Sequence, residues 1–428
     1  MRPSVPSRDR ARKTPTLELG RKHRPDYWLV MLCAGLLVVG LIVVYAISPA
    51  LSASAHVSSN YYVTKQLLAI VLSVVAFAVT ANVPLSYWKQ AYKPLLIIAA
   101  LATFIALAMP VNPAYPAHRW VRLGSLSFQS VELVKFAILI AVAGFLAERM
   151  RTGLLNDTAK TLKPLLIALL VMGVVIAGPQ KLHAQSDLGS MGVIIAMLGT
   201  MGFIAGLPMK RILQFVAILA IGVVLVVLPS GYRRERLATY MHPEADCQNA
   251  GYQACQALIS VGSGGIIGLG LGRSVQAYGY QPEAANDSIF AIYAEKFGFI
   301  GCVVLLGLLM SLFGRLKSIA ERAPDDFSRL LVVGVLSWFS VQALINIGGM
   351  IGVLPLKGIT LPFVSYGGTS VIFAAAAVGL AFQVSRYTAF VSPRVSMDTR
   401  RRNNYDYSRS GRRLGGAYHP SASGRERA

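Results

Sequence analysis

Apolar residues in this chain gather in long blocks separated by short polar joints. The blocks fall at about residues 27–48, 66–83, 94–109, 131–148, 164–178, 188–207, 212–229, 288–313, 329–353 and 367–385. A helix needs about 20 mainly apolar residues to cross the hydrocarbon core of a bilayer. The pattern therefore predicts an all-α polytopic membrane protein with about ten transmembrane helices. Pro, Gly and Ser punctuate the spans, as between Pro110 and Pro116 and at Gly178-Pro179. The first block, Tyr27 to Ile47, is too long for a typical signal-peptide core and lacks an obvious cleavage site, so it reads as a retained anchor.

Composition supports this class. Of 428 residues, 54% are hydrophobic and 14% charged, against roughly 25% charged in soluble domains. The few charges also orient the chain, because Lys and Arg in short loops favour the cytoplasmic side. One set of loops holds 12 of them: Lys89, Lys93, Arg149, Arg151, Lys160, Lys163, Lys210, Arg211, Arg315, Lys317, Arg322 and Arg329. The opposite set holds 5: Lys65, Arg119, Arg122, Lys181 and Lys357. An even number of spans puts both termini on the richer side, so both are expected to be cytoplasmic. Three regions follow. Residues 1–25 and 391–428 are basic tails expected to be disordered, since they contain few large apolar residues. Residues 26–390 form the membrane core, with one long external loop at about 230–287 between the seventh and eighth spans. The tails account for much of the net charge of +22. Anionic lipid is the expected partner for such juxtamembrane charge, rather than nucleic acid.

Cysteine and histidine add little. Cys33 and Cys302 lie in spans and read as packing residues. Cys247 and Cys255 share the external loop, where a disulfide and free thiols both remain open. No CxxC, zinc spacing or HExxH pattern occurs. The run Gly262 to Gly272 lacks the Gly-Lys-Ser/Thr of a phosphate loop, and Ile267 occupies the third glycine position of a dinucleotide fingerprint. It reads instead as a re-entrant or tightly packed segment at the membrane face.

Charges at membrane depth carry more information. Glu132 and Lys135 lie three apart on one helix face, within pairing reach. They suit an internal ion pair or part of a polar cavity. Asp187 and Asp287 each open a span, where either could cap a helix or serve a site. Glu295 and Lys296 lie about two turns beyond Asp287. The external cations Arg119, Arg122, Lys181, Arg233, Arg234, Arg236, Arg273 and Lys357 would suit an anionic ligand. The three arginines at 233, 234 and 236 suit headgroup contact equally well.

Four stretches then carry a family resemblance. They are His118-Arg119-Trp120-Val121 with Gln129-Ser130-Val131-Glu132-Leu133-Val134-Lys135; Gln185-Ser186-Asp187-Leu188-Gly189-Ser190; Gly251-Tyr252-Gln253 through Gly265 to Pro282-Glu283-Ala284-Ala285-Asn286-Asp287; and Asn346-Ile347-Gly348 through Leu354-Pro355-Leu356-Lys357-Gly358-Ile359-Thr360-Leu361-Pro362 to Ser370. Across residues 27–385 the chain resembles the SEDS family (shape, elongation, division and sporulation). Its Lys-Gly-Ile-Thr-Leu-Pro form and Pro282-Glu283-Ala284 lean towards the division branch. Ser130 and Ser186 stand where the family usually has proline after glutamine. Asn286-Asp287-Ser288 replaces the usual His-Thr-Asp-Phe, with the Asp kept.

The resemblance implies a peptidoglycan glycosyltransferase that polymerises lipid II, an undecaprenyl diphosphate-linked disaccharide-pentapeptide, at the outer face of the cytoplasmic membrane. It implies septal wall synthesis, with a single-span class B penicillin-binding transpeptidase and other divisome proteins as partners. Asp287 corresponds to the family's essential acid, and a general-base role is expected for it. Arg119, Lys357, Arg233 and Arg234 are candidates for the diphosphate. Glu132, Lys135, Asp187 and Ser365 are candidates for the surrounding substrate site. A divalent cation, Mg or Mn, is a candidate helper whose ligands the sequence does not name. A lipid II flippase and a non-catalytic divisome scaffold remain as alternatives.

Overall fold

The computed structural model describes residues 21–22, 24–109, 118–123, 126–178, 184–227, 247–249 and 251–388. Lys22–Thr388 form one compact unit. Of the expected tails 1–25 and 391–428, Arg21, Lys22, Arg24 and Pro25 are among the described residues, and the expectation of disorder for the rest lies outside them.

The apolar blocks become helices: α1 (Tyr27–Ser54), α2 (Tyr61–Asn82), a short α3 (Leu85–Gln90), α4 (Tyr92–Ala108), α5 (Ser130–Arg151), α6 (Lys163–Ala177), α7 (Leu188–Ala205), α8 (Met209–Val227), α9 (Tyr252–Ser263), α10 (Ile289–Glu321), α11 (Asp326–Met350) and α12 (Gly368–Ser385). Among the described residues, eight helices are long and apolar enough to cross a membrane: α1, α2, α5, α7, α10, α11, α12, and α6 with the turn before it. Helix α4 is shorter but apolar, and α8 stands at the seventh expected block.

Three departures from the expected pattern have local causes. Helix α1 runs through Pro49 to Ser54. Packed membrane helices tolerate an internal proline, because neighbours re-satisfy the freed backbone groups. Helix α10 runs to Glu321 rather than to about residue 313, where Arg315 reaches an ion pair with Asp26. The joint before α5 holds two antiparallel strands, β1 (Trp120–Leu123) and β2 (Leu126–Gln129), with Trp120 opposite Gln129 and Leu123 opposite Leu126.

The ends of the bundle differ. At one end the Asp26 N–H donates to Ser385 Oγ at 3.0 Å, so the start of α1 and the end of α12 are neighbours. At the other end converge β1–β2, the N-termini of α5, α7, α10 and α12, and the joints 281–288 and 351–367. The Gln129 N–H reaches Thr369 Oγ1 at 3.3 Å there.

Helix α10 is broken at Gly298, whose φ of 63° and ψ of −165° interrupt the ladder. A Cβ at Gly298 would lie 2.3 Å from the Gly268 nitrogen, so only glycine fits. The glycine-rich segment repairs the break. Leu269 and Gly270 N–H groups donate to the Glu295 and Lys296 carbonyls at 2.9 and 3.0 Å, and Phe299 and Ile300 donate to Gly265 and Ile266 at 2.9 and 3.0 Å. The Glu295 carboxylate also accepts from Ser274 Oγ, from Val275 N–H at 2.8 Å and from Gln276 N–H at 3.2 Å. Lys296 Nζ donates to the Leu271 carbonyl at 2.8 Å. The segment is thus tightly packed on α10, while Ile266 and Ile267 remain 70% and 79% exposed. Upstream, Cys247 and Cys255 are joined in a disulfide. Much of the external loop, including Arg233, Arg234 and Arg236, lies outside the described residues, as does Lys181.

Candidate active site

Asp287 occupies the turn immediately before α10, where the chain enters the bundle from the loop. Three consecutive carbonyls hold that turn in place. Tyr366 N–H donates to the Ala285 carbonyl at 2.8 Å. Ser365 Oγ donates to the Asn286 carbonyl at 2.7 Å. Asn346 Nδ2 donates to the Asp287 carbonyl at 2.7 Å. The turn is closed from its own side at Glu283, whose φ is 51° and whose carbonyl accepts from Asn286 and Ser288 N–H at 2.9 and 3.1 Å. The backbone is therefore fixed, and the carboxyl is left to project.

That carboxyl faces Gly358. A Cβ there would sit 3.0 Å from Asp287 Oδ2 and 3.6 Å from Arg119 Nη1. Glycine at 358 lets the acid and the guanidinium approach the same exposed stretch of backbone. Arg119 is itself fixed, its Nε donating to the Gln185 carbonyl at 2.9 Å and its Nη2 to the Ser186 carbonyl at 2.8 Å. The Asp287 carboxyl is pushed up to about 7 by burial, then by the nearby carboxylates of Glu283 and Asp187, with Arg119 pulling the other way. An acid with that value is ionised about half the time at neutral pH, which suits proton transfer.

The sequence-based candidates divide by role. Asp187 is buried and caps α7, accepting from Ser190 N–H at 3.0 Å and Ser190 Oγ at 2.8 Å. Ser365 is also buried, and its hydroxyl accepts from Leu361 N–H at 2.7 Å while holding Asn286. Lys357 directly precedes Gly358, and its carbonyl accepts from Ile359 N–H at 2.7 Å. Glu132 and Lys135 form a buried ion pair at 2.8 Å. Lys135 Nζ also donates to Gln342 Oε1 at 3.1 Å and lies 4.9 Å from the Trp338 ring centre. Gln342 Nε2 continues to the Thr360 carbonyl at 2.9 Å, and Thr360 Oγ1 meets Ser370 Oγ at 2.9 Å. Glu132 Oε2 is buried without a partner. The two serines that replace proline are both engaged. Ser130 Oγ accepts from Gln185 Nε2 at 2.7 Å. Ser186 has a φ of 53°, which proline cannot adopt.

Asp287 and Arg119 therefore meet at Gly358, Lys357 adjoins that residue along the chain, and Asp187 borders the acid. Ser288 does not flank the acid as a free hydroxyl. It is buried and donates to the Pro282 carbonyl at 2.9 Å. Asn346, Gly358 and Glu283 carry roles that their sequence positions within the motifs did not reveal. Among the described residues no group of three or more His, Cys, Asp or Glu is placed to hold a metal ion.

Residues 27–389 match the family of cell cycle proteins named for FtsW, RodA and SpoVE. The chain is 37% identical to the probable peptidoglycan glycosyltransferase FtsW of Saccharophagus degradans, over 85% of this chain and 93% of that one. It is 35% identical to stage V sporulation protein E of Bacillus subtilis, over 86% and 99%. Among solved structures it is similar to a chain from a study of the structural coordination of polymerization and crosslinking by a peptidoglycan synthase complex. The TM-score is 0.68 and the identity 28%, covering 85% of this chain and 98% of that one. The rod shape determining protein RodA of Thermus thermophilus matches with a TM-score of 0.59 and 26% identity, over 85% and 97%.

Proposed function

The chain belongs to the FtsW, RodA and SpoVE family of cell cycle proteins, and on that premise we propose that it is a peptidoglycan glycosyltransferase that polymerises lipid II, with Asp287 as its general base. The observation that carries the assignment of the base is the position of Asp287. The turn that carries it is held at three consecutive carbonyls, the last of them its own, its acidity is lowered to near neutral, and its carboxyl meets Arg119 across Gly358.

In the reaction, the acceptor sugar's 4-hydroxyl oxygen attacks the anomeric carbon of the donor. Asp287 takes the hydroxyl proton as the new C–O bond forms. The bond from the anomeric carbon to the lipid diphosphate breaks, and the diphosphate leaves with the electron pair. A single displacement of this kind inverts the anomeric configuration. The leaving group gains negative charge, and fixed cations stabilise such charge more than they stabilise the ground state. Arg119 supplies one, held with two of its nitrogens on the 185–186 turn and Nη1 towards Gly358. Lys357, Arg233 and Arg234 supply the others. Glu132 and Lys135 shape the polar interior behind the site through Gln342 and Thr360. Asp187 and Ser365 hold the backbone that frames it.

The substrate's lipid tail requires a site open to the bilayer. The ten blocks cross the membrane with both termini cytoplasmic and the Asp287 end outward, as the distribution of Lys and Arg favours. The division setting and a single-span transpeptidase partner follow the FtsW-like form of the fourth stretch. The test is the rate of glycan chain formation from purified lipid II. Asp287→Asn should lower it by about 10²–10⁴-fold, the usual worth of a general base, while the protein elutes as a folded species. Parental rates from the Asn variant would remove Asp287 from the chemistry.

A further inference from the structure

Asn346 lies on α11, one turn before its end, and is 59 residues from Asp287 in sequence. Its side-chain nitrogen makes two donations, one to the Asp287 carbonyl at 2.7 Å and one to the Ile359 carbonyl at 2.7 Å. Both amide hydrogens are thereby used. Its Oδ1 is buried with no partner. That pattern fixes the amide's orientation, because flipping it would set an oxygen against two carbonyl oxygens. The unpartnered oxygen carries a desolvation cost, so the two donations are made at the expense of the third polar group.

The two carbonyls belong to the two halves of the site. Asp287 brings the carboxyl. Ile359 directly follows Gly358, the residue against which that carboxyl and Arg119 both rest. One amide therefore sets the distance between the acid and the backbone it faces. Tyr366 and Ser365 hold the two preceding carbonyls of the same turn, yet neither touches Asp287 itself. We infer that Asn346 is a positioning residue, which fixes the Asp287 carboxyl against Gly358 and Arg119 through the two backbone carbonyls it bridges. The inference rests on the general-base role of Asp287.

Purified parent, Asp287→Asn, Asn346→Ala and Asn346→Asp are compared for lipid II polymerisation between pH 5.5 and 9, with thermal unfolding measured alongside. Asn346→Ala is expected to lower kcat by about 10–100-fold with KM within about twofold, since misplacement of a catalytic group by about 1 Å costs on that order. Asn346→Asp is nearly isosteric and puts a carboxylate against two carbonyls and near Asp287. It is expected to move the acid limb of the pH–rate profile to higher pH, a change that loss of packing alone does not produce. Should Asn346→Ala fail to fold, Asn346→Asp decides the question by that limb. Inactive Asp287→Asn with parental kcat and a parental acid limb in both Asn346 variants overturns the positioning role alone. Parental activity in Asp287→Asn overturns the general-base reading on which it rests.

Discussion

Asp287 is held where water is scarce and two carboxylates are near, and this has consequences at the scale of one residue. Its folded value of about 7 lies above the ordinary aspartate value of 3.8. Between those values the folded state binds more protons than the unfolded one, so this group's contribution to stability declines as pH rises through the window. The destabilisation is absent below about pH 4 and complete above about pH 7. Asp287→Asn should therefore unfold at a higher temperature than the parent at pH 8, with the gap narrowing towards pH 5. A gap of the opposite sign would mean that the carboxylate is stabilised in the fold. The catalytic acid limb should fall near pH 7 for the same reason. The sequence made Asp287 and Arg119 legible, because a charge at a lipid boundary is costly and because both sit in recognisable stretches. It did not reveal Asn346, Gly358 or Glu283. Their roles depend on an approach between segments far apart in the chain, or on a positive φ at a residue type that does not ordinarily announce one. The same limit applies to Ser365 and Asp187, which the motifs marked as candidates and whose polar atoms turned out to hold backbone.

At the scale of elements, the buried Glu132–Lys135 pair joins α5 to α11 through Gln342 and Trp338. Removing one member leaves an uncompensated buried charge, which costs about 3–5 kcal/mol. Lys135→Met and Glu132→Gln should each lower the unfolding temperature, and the double variant should recover part of the loss. Strictly additive losses would show that the pair is uncoupled. The break in α10 is a second element-scale device. Gly298→Ala would strain a positive φ, costing about 1–3 kcal/mol, and would drive a methyl group into the Gly268 nitrogen. Unfolding should shift downward, and limited proteolysis of 264–280 should accelerate. Unchanged proteolysis would mean that the glycine-rich segment is not held by the break. The apolar blocks gave the helices their places, whereas their ends followed packing. The first block ends at about residue 48, whereas its helix runs through Pro49 to Ser54. The block pattern carries no signal for β1 and β2, because Trp120 to Gln129 falls between two apolar blocks and forms two runs too short to stand out.

For the whole molecule, the meeting of Asp26 with Ser385 places the start of the first helix beside the end of the last. The all-α polytopic class was legible from the blocks alone, since no soluble core requires so many apolar runs of that length. Sidedness rests on the asymmetry of Lys and Arg. A protease applied outside intact spheroplasts should spare tags on both termini and cleave a site inserted at Gln248. Cleavage of the tags with the inserted site protected would invert the orientation and place Asp287 on the cytoplasmic side.

The central claim is that this membrane bundle makes glycan chains. The most direct measurement incubates fluorescent lipid II with the purified protein in vesicles, alone and with its cognate transpeptidase, and follows both chain length and the sidedness of unreacted lipid II. The expected result is polymer from the parent, made without a requirement for net movement of lipid II, and little or none from Asp287→Asn. Lipid II that crosses the bilayer unpolymerised, with the protein folded and the partner bound, would contradict the polymerase and make transport the function of the same charged interior.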